Sequence, residues 1–182
     1  MIRHLPAAER LAVPWKNGGG VTREIAVSPE GAGMDDFAWR VSLADVGADG
    51  PFSAFPGVDR ILTVVEGAGM DLTVGGERLL VDTRYLPQDF RGDVPTDGRL
   101  LAGPVVNLNV MWRRGDGRTA PTVAVVRGRL PLPAHALVVV LDGSAELAGQ
   151  ALGRYDAALL SGEAAVLDAR GRTAVIGLAG RD

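Results

Sequence analysis

The sequence predicts an all-β protein. The chain of 182 residues contains 25 glycines and 11 prolines, which occur every few residues between short apolar runs and are not pooled in one linker. This spacing is typical of turns that join strands. No segment shows sustained 3.6-residue periodicity, so the sequence favours no α-helix. A hydrophobic fraction of 47% is sufficient to fill the core of one medium domain or of two fused halves.

Short apolar or alternating runs predict the individual strands. Most of these runs end at glycine, proline or a charged residue, and the two adjacent glycines in TVGGERL predict a hairpin. In chain order, the predicted strands are Val21–Val27, Ala38–Ala44, Arg60–Glu66, Asp71–Val74, Glu77–Val81, Val105–Arg113, Thr122–Arg127, Leu137–Asp142, Ala145–Leu147, Ala157–Leu160, Ala164–Asp168 and Ala174–Leu178.

A weak internal repeat divides the chain. The segments 61–80 and 136–153 both run as apolar strand, acidic residue, glycine and short strand, with the acid and glycine at Glu66-Gly67 and Asp142-Gly143. Two copies of one β half would explain the repeat, although the same pattern also arises by chance in β-rich chains. We expect a first half over residues 1–115, which holds the candidate ligand pocket, and a smaller second half over residues 116–182.

Composition excludes several classes of function. A net charge of -3 and the absence of a basic stripe argue against a nucleic-acid binder. The longest apolar run, Ala136–Leu141, is too short to cross a bilayer, so we expect a soluble protein with no membrane partner. The chain has no cysteine, which suits a reducing cytoplasm. Its two histidines, His4 and His135, are too far apart for a metal-binding motif, and we expect both at the surface and no metal or cofactor.

The stretch PWKNGGGVTREI (14–25) contains three consecutive glycines before a predicted strand. It has neither the GxxxxGK[ST] spacing of a phosphate loop nor the GxGxxG spacing of a dinucleotide fold. We interpret Gly18–Gly20 as a turn, because glycine readily adopts positive φ. This turn is expected at the mouth of a pocket, with Lys16 and Asn17 above it.

Period-two alternation places polar side chains together on several predicted strands. If these polar strand faces all point into a barrel, they form a polar pocket that contains two or more cations. A small carboxylate is the natural ligand of such a pocket, because arginine binds carboxylate through two parallel charge-assisted hydrogen bonds. The candidate ligand-binding residues are Lys16, Asn17, Thr22, Glu24, Arg40, Ser42, Arg60 and Asn109.

The two arginines have an alternative role that the pattern leaves open. Arg40 and Arg60 can instead point to solvent or pair with Glu24 and Glu66 in a structural network.

Four stretches of the sequence resemble the HutD/Ves family of bicupin proteins. They are WKNGGGVTREI (15–25), FAWRVSLADVGADGPFSAFPGVDRILTVVEGAG (37–69), FRGD (90–93) and GPVVNLNVMWRR (103–114). The resemblance implies two cupin-like jelly-roll β-barrels in one chain and a cytoplasmic bacterial protein linked to histidine utilisation. It also implies a small-molecule-binding accessory or regulatory protein without established catalytic activity, for which N-formylglutamate is the suspected ligand. Asn107 departs from the family, whose members usually carry Asp there.

Three functions therefore remain open. The first is a binding protein for a small carboxylate of histidine breakdown. The second is a metal-independent enzyme of low activity, with Glu24 as general base in the same pocket. The third is a scaffold whose barrel faces mediate oligomerisation; the sequence leaves a homodimer open as an alternative to a monomer.

Overall fold

The protein is built from β-strands. The structure, a computed structural model, describes residues 1–115 and 117–178. Within those residues the only helical element is a single 3-10 turn at Ala7–Glu9, and no helix is long and apolar enough to cross a membrane. The prediction of an all-β chain is confirmed.

The strands are numbered along the chain. Those up to Arg113 are β1 (Ile2–Leu5), β2 (Val13–Pro14), β3 (Gly20–Ser28), β4 (Trp39–Val46), β5 (Gly50–Phe52), β6 (Val58–Glu66), β7 (Met70–Val74), β8 (Glu77–Val81), β9 (Gln88–Arg91), β10 (Thr96–Leu100) and β11 (Val105–Arg113). The later ones are β12 (Thr122–Leu132), β13 (His135–Asp142), β14 (Ala145–Leu147), β15 (Gln150–Leu152), β16 (Ala157–Ser161) and β17 (Ala165–Gly177).

Most predicted strands are present, and the differences have a structural cause. The two segments predicted at 164–168 and 174–178 form the single long strand β17, because the backbone between them stays extended and pairs with its neighbours. Six strands of two to five residues were not predicted from the sequence. They are β1, β2, β5, β9, β10 and β15.

The described chain divides into two compact units. One consists of Leu11–Gly117. The other, called the C-terminal unit below, joins Met1–Arg10 to the described residues from Arg118 onward. The boundary expected from the sequence, 1–115 and 116–182, therefore misassigns the first ten residues. They belong to the C-terminal unit because β1 pairs with β16 and because the N–H of Ala7 donates to Oδ1 of Asp156 at 2.8 Å.

The unit Leu11–Gly117 contains two antiparallel sheets. One has the order β2-β3-β4-β11-β6-β9, and the other has the order β5-β10-β7-β8. Alternate side chains of their strands form an apolar core, which includes Ala44, Val46, Leu62, Val64, Met70, Leu72, Val81 and Val105. The same alternation continues along β4 and β6 to Ser42, Arg40 and Arg60, so one end of the enclosed face becomes polar.

The C-terminal unit contains one seven-stranded sheet. Its order is β1-β16-β13-β17-β14-β15, and β12 pairs with β17. A buried apolar cluster of this sheet consists of Leu132, Val138, Val140, Ala145, Leu147, Leu152, Ala158, Leu160, Leu167 and Ala169, and Thr173 on β17 is a buried polar residue.

Each unit contains the same backbone arrangement around one tyrosine. Tyr85 and Tyr155 have positive φ values of 65° and 66°. Their N–H groups donate to the carbonyl oxygens of Val64 in β6, at 2.9 Å, and of Val140 in β13, at 2.6 Å. In both strands this valine lies two residues before the acidic member of the pairs Glu66-Gly67 and Asp142-Gly143. The internal repeat in the sequence therefore corresponds to a repeated local structure.

An ion-pair cluster links three strands of the four-stranded sheet. Asp71 on β7 accepts hydrogen bonds from Arg78 on β8, at 2.8 Å, and from Arg99 on β10, at 2.9 Å. These bonds, that from Arg78 first, lower the pKa of Asp71 from 3.8 to about 2. The carboxylate therefore favours the folded state only while it is ionised.

We predict that Asp71→Asn reduces the acid sensitivity of the fold. In the wild type the contribution of Asp71 is present above about pH 4 and is lost as the pH falls toward about 2, since its folded pKa lies below its unfolded one. Melting temperatures measured across this range should fall less steeply for the variant. Asp97→Asn is the control, because Asp97 is an exposed carboxylate of β10 with no ion pair in the described part of the chain. Equal slopes for Asp71→Asn and the wild type would contradict the prediction.

Candidate functional site

A pocket of about 540 Å³ opens within the unit Leu11–Gly117. This volume is in the range of small-molecule sites, which span about 300–1,000 Å³. The pocket is bounded by the turn before β3, by β4, β6 and β11, and by the segment that follows β5. Its lining residues are Val13, Pro14, Trp15, Lys16, Asn17, Thr22, Met34, Arg40, Ser42, Ala44, Pro51, Phe52, Ser53, Phe55, Arg60, Asn107, Asn109 and Met111.

The glycine run forms a tight turn at this pocket. The N–H of Trp15 donates to the carbonyl of Gly20 at 2.9 Å, which closes the turn between β2 and β3. A Cβ atom on Gly20 would lie 2.6 Å from the carbonyl oxygen of Asp45, so no larger residue fits without a shift of the backbone. The turn places Lys16 and Asn17 in the pocket lining, where the sequence predicted them.

Thr22 is held in place by the indole of Trp15. The Nε1–H of Trp15 donates to Oγ1 of Thr22 at 2.7 Å, and both side chains line the pocket. The hydroxyl of Thr22 keeps its own proton for a further acceptor. Trp15 thus packs against the core and orients a polar group at the same time.

Amide and hydroxyl groups form the buried polar wall. Ser42 on β4 is the register partner of Asn109 on β11, and Asn107 lies two residues earlier on the same face of β11. All three side chains are buried, yet they line the pocket. Buried polar groups are normally hydrogen-bonded, so this wall offers donors and acceptors to a ligand.

Arg60 is a buried cation. Its side chain is 7% exposed, and its Nε–H donates to Oδ1 of Asn109 at 3.3 Å. The guanidinium carbon lies 5.2, 5.8 and 5.3 Å from the ring centres of Phe52, Phe55 and Phe90. No carboxylate in residues 1–115 or 117–178 forms an ion pair with it, and burial lowers the pKa of Arg60 to about 10. The pocket therefore contains a positive charge that lacks a counter-ion among the described residues.

Arg40 differs from Arg60 because it has a carboxylate partner. Its Nε–H donates to Oε2 of Glu24 at 2.8 Å, and its Nη1 lies 3.0 Å from Sδ of Met34. The alternative of a structural ion pair thus applies to Arg40 with Glu24. It does not apply to Arg60, whose neighbours are aromatic rings and an amide.

Glu24 is the one predicted site residue that does not line the pocket. The structure brings Lys16, Asn17, Thr22, Arg40, Ser42, Arg60 and Asn109 together around it. The side chain of Glu24 is 42% exposed, and its ion pair with Arg40 keeps the carboxylate at the solvent side. Glu24 is still the register partner of Ser42, so its place outside the lining follows from the direction of its side chain toward Arg40 and not from a break in the alternation.

Several lining residues were not among the predicted site. Phe52 and Phe55 belong to the stretch GPFSAFPG, whose two aromatic residues three positions apart were the available signal. Met111 also lines the pocket and is the register partner of both Arg40 and Arg60. Asn107, noted only as a departure from the family, also lines the pocket.

Neither histidine belongs to the pocket. His4 lies in β1 and His135 in β13, both in the C-terminal unit. His135 is exposed as expected; His4 is half-buried, and its Nδ1 has no hydrogen-bond partner among the described residues, so the expected surface position holds for it only in part. In the residues that the structure describes, no group of three or more histidine or acidic side chains is arranged to hold a metal ion.

Comparisons with known proteins identify related sequences and structures. The sequence pattern of the family described as HutD matches residues 7–176. A relative from Pseudomonas putida, described as an uncharacterized 21.2 kDa protein in the hutC 3′ region, is 35% identical over 99% of this chain and 98% of its own length. Protein Ves from Citrobacter koseri is 39% identical over 60% of this chain and 57% of its own length.

Solved structures agree with these relatives. HutD from Pseudomonas fluorescens SBW25 superposes with a TM-score of 0.88 at 33% identity, and all of both chains is covered. A cupin 2 conserved barrel domain protein from Leptotrichia buccalis superposes with a TM-score of 0.60 at 11% identity over 91% of this chain and 92% of its own. At that identity the second match shows only that the fold is cupin-like.

We predict that Arg60→Met leaves the free energy of unfolding unchanged or raises it by up to about 3 kcal/mol. A buried charge without a counter-ion has a desolvation cost, and an apolar side chain of similar volume removes it. Chemical denaturation at neutral pH measures the difference. Arg114→Met is the comparison, because Arg114 forms ion pairs with Asp59 and Asp93 and its loss should lower the stability. A decrease of more than about 1 kcal/mol for Arg60→Met would mean that its contacts with the aromatic rings and Asn109 outweigh the desolvation.

Proposed function

Because this chain belongs to the HutD family, we propose that it binds a small carboxylate as an accessory or regulatory protein of bacterial histidine utilisation. The relative from Pseudomonas putida, whose description refers to the hutC 3′ region, supports the link to that pathway. A cytoplasmic location follows from this role. The ligand we propose is N-formylglutamate, and the site is the pocket of the unit Leu11–Gly117.

The observation that carries this proposal is the state of Arg60. A buried guanidinium without a counter-ion among the described residues is costly in an empty pocket, and an anion that enters the pocket removes part of that cost. Arginine binds carboxylate with two parallel hydrogen bonds. Since Phe52 and Phe55 lie near its guanidinium and also line the pocket, they help to exclude water from the contact.

The other lining groups fit the rest of N-formylglutamate. Lys16 is a second cation, and it has no ion pair within the described residues. It can neutralise the second carboxylate of the ligand. The amides of Asn107 and Asn109 and the hydroxyl of Ser42 supply both donors and acceptors for a formamide group. The methylene groups of the ligand would contact the apolar part of the lining.

We propose that each unit is a cupin-like barrel, so that the chain is a bicupin. The repeated arrangement around Tyr85 and Tyr155 supports two copies of one fold. Strand pairing supports it as well. In one unit β6 and β7 pair with β11 and β10; in the other, β13 and β14 pair with the two halves of β17.

The enzymatic alternative receives no support from the position of Glu24. A general base must lie within hydrogen-bond reach of the substrate proton. Glu24 is outside the pocket lining, and its carboxylate is engaged by Arg40. Binding without chemistry is therefore the function that the described residues favour.

Ligand binding can be tested by thermal shift and calorimetry with N-formylglutamate, formiminoglutamate, urocanate, histidine and glutamate. We predict that N-formylglutamate raises the melting temperature most, because its two carboxylates and its formamide group all have partners in the lining. A ligand at 100 times its Kd adds about 2.7 kcal/mol to the free energy of unfolding. Arg60→Met should lower the affinity by roughly 2–4 kcal/mol, since the carboxylate loses a desolvated charged partner.

The matched control is Arg129→Met. Arg129 is an exposed arginine on β12 of the C-terminal unit, so its removal changes the net charge equally and leaves the pocket intact. Its affinity should equal that of the wild type. A wild-type protein that binds none of the five compounds, or binding that persists unchanged in Arg60→Met, would refute the proposal.

A further inference from the structure

The pocket lining carries positively charged side chains but no negatively charged ones. Its eighteen residues include the cations Lys16, Arg40 and Arg60 and no acidic side chain. A pocket with three free cations would favour ligands with three negative charges. The one carboxylate that bears on this balance belongs to Glu24, which lies outside the lining.

Glu24 acts on only one of these cations. Its Oε2 lies 2.8 Å from Nε of Arg40, whose side chain is 16% exposed and lines the pocket. Arg60 and Lys16 have no such partner among the described residues. The charge that the pocket offers to a ligand is therefore that of two cations, together with a neutral Arg40–Glu24 pair.

The strand register fixes where the neutral pair lies relative to Arg60. Met111 on β11 is the register partner of Arg40 on β4 and of Arg60 on β6. Neighbouring strands lie about 4.8 Å apart, so the backbones of the two arginines are separated by about 10 Å across β11. A ligand with its carboxylate at Arg60 can therefore place another group at Arg40.

We propose that Glu24 is a specificity-determining residue that limits the charge of the ligand. By neutralising Arg40, it makes the pocket select a dicarboxylate over a tricarboxylate of the same carbon backbone. An anionic group at Arg40 would have to compete with the carboxylate of Glu24 and would be repelled by it. This inference rests on the proposed function, because it concerns the same pocket.

Glutarate and tricarballylate are suitable probes, since tricarballylate is glutarate with a third carboxylate on its central carbon. Calorimetry at about pH 8, where all these carboxylates are ionised, gives the ratio of the two affinities for each variant. In Glu24→Gln, the ratio of tricarballylate to glutarate affinity should rise about tenfold. In the double variant with Arg40→Gln, this gain should disappear, because no released cation remains.

Two further variants make the result independent of one substitution. Glu77→Gln is the charge-matched control, since Glu77 is exposed at the start of β8 and outside the pocket lining, and it should leave the ratio unchanged. Arg40→Gln alone leaves Glu24 without its partner and should lower the ratio. This variant tests the same charge balance if Glu24→Gln does not fold.

The outcomes separate this inference from the proposed function. One outcome is that the wild type binds glutarate while the tricarballylate-to-glutarate affinity ratios of Glu24→Gln and Arg40→Gln stay within about twofold of the wild-type ratio. In that case the role of Glu24 is refuted and carboxylate binding stands. If the wild type binds neither probe and no compound of the histidine pathway, both proposals are refuted. A rise of the ratio in Glu77→Gln equal to that in Glu24→Gln would show a general charge effect and would also refute the role of Glu24.

Discussion

The feature on which the rest of the site depends is the burial of Arg60 beside three aromatic rings. Burial withdraws water from the guanidinium and lowers its pKa to about 10, while the rings and the Asn109 amide replace only part of that hydration. The surrounding unit must hold this charge in place. It does so with an apolar core that continues along the same faces of β4 and β6. The free energy of packing in the apolar core thus offsets the desolvation cost of the buried Arg60 charge.

The two arginines of the pocket show how one neighbour changes the chemistry of a side chain. Both arginines lie in register with Met111, and both line the pocket. Arg40 has a carboxylate partner and behaves as half of an ion pair, whereas Arg60 has none among the described residues and is available to an anion. The electrostatic character of the site is therefore set by residues around the lining as well as by those within it.

Period-two alternation was enough to predict most strands and several of the polar residues that line the pocket. Ser42, Arg60 and Asn109 line the pocket as alternation predicts, and β4 and β11 pair without a register shift from Trp39 to Val46. The position of Glu24 could not be predicted in this way, since its carboxylate pairs with Arg40 outside the lining although its backbone is in register with Ser42. The pairing of β1 with β16 was equally inaccessible, because contacts between residues far apart in sequence leave no local signal.

The assignment of Met1–Arg10 to the C-terminal unit has a consequence for synthesis on the ribosome. The unit Leu11–Gly117 has all its strands once residue 117 has emerged, so it can fold while the rest of the chain is still being made. Strand β1 precedes this unit in the chain and must wait for β16 before it can pair. The residues of β1 are therefore synthesised before the pocket-bearing unit but reach their final partners after that unit can already be complete.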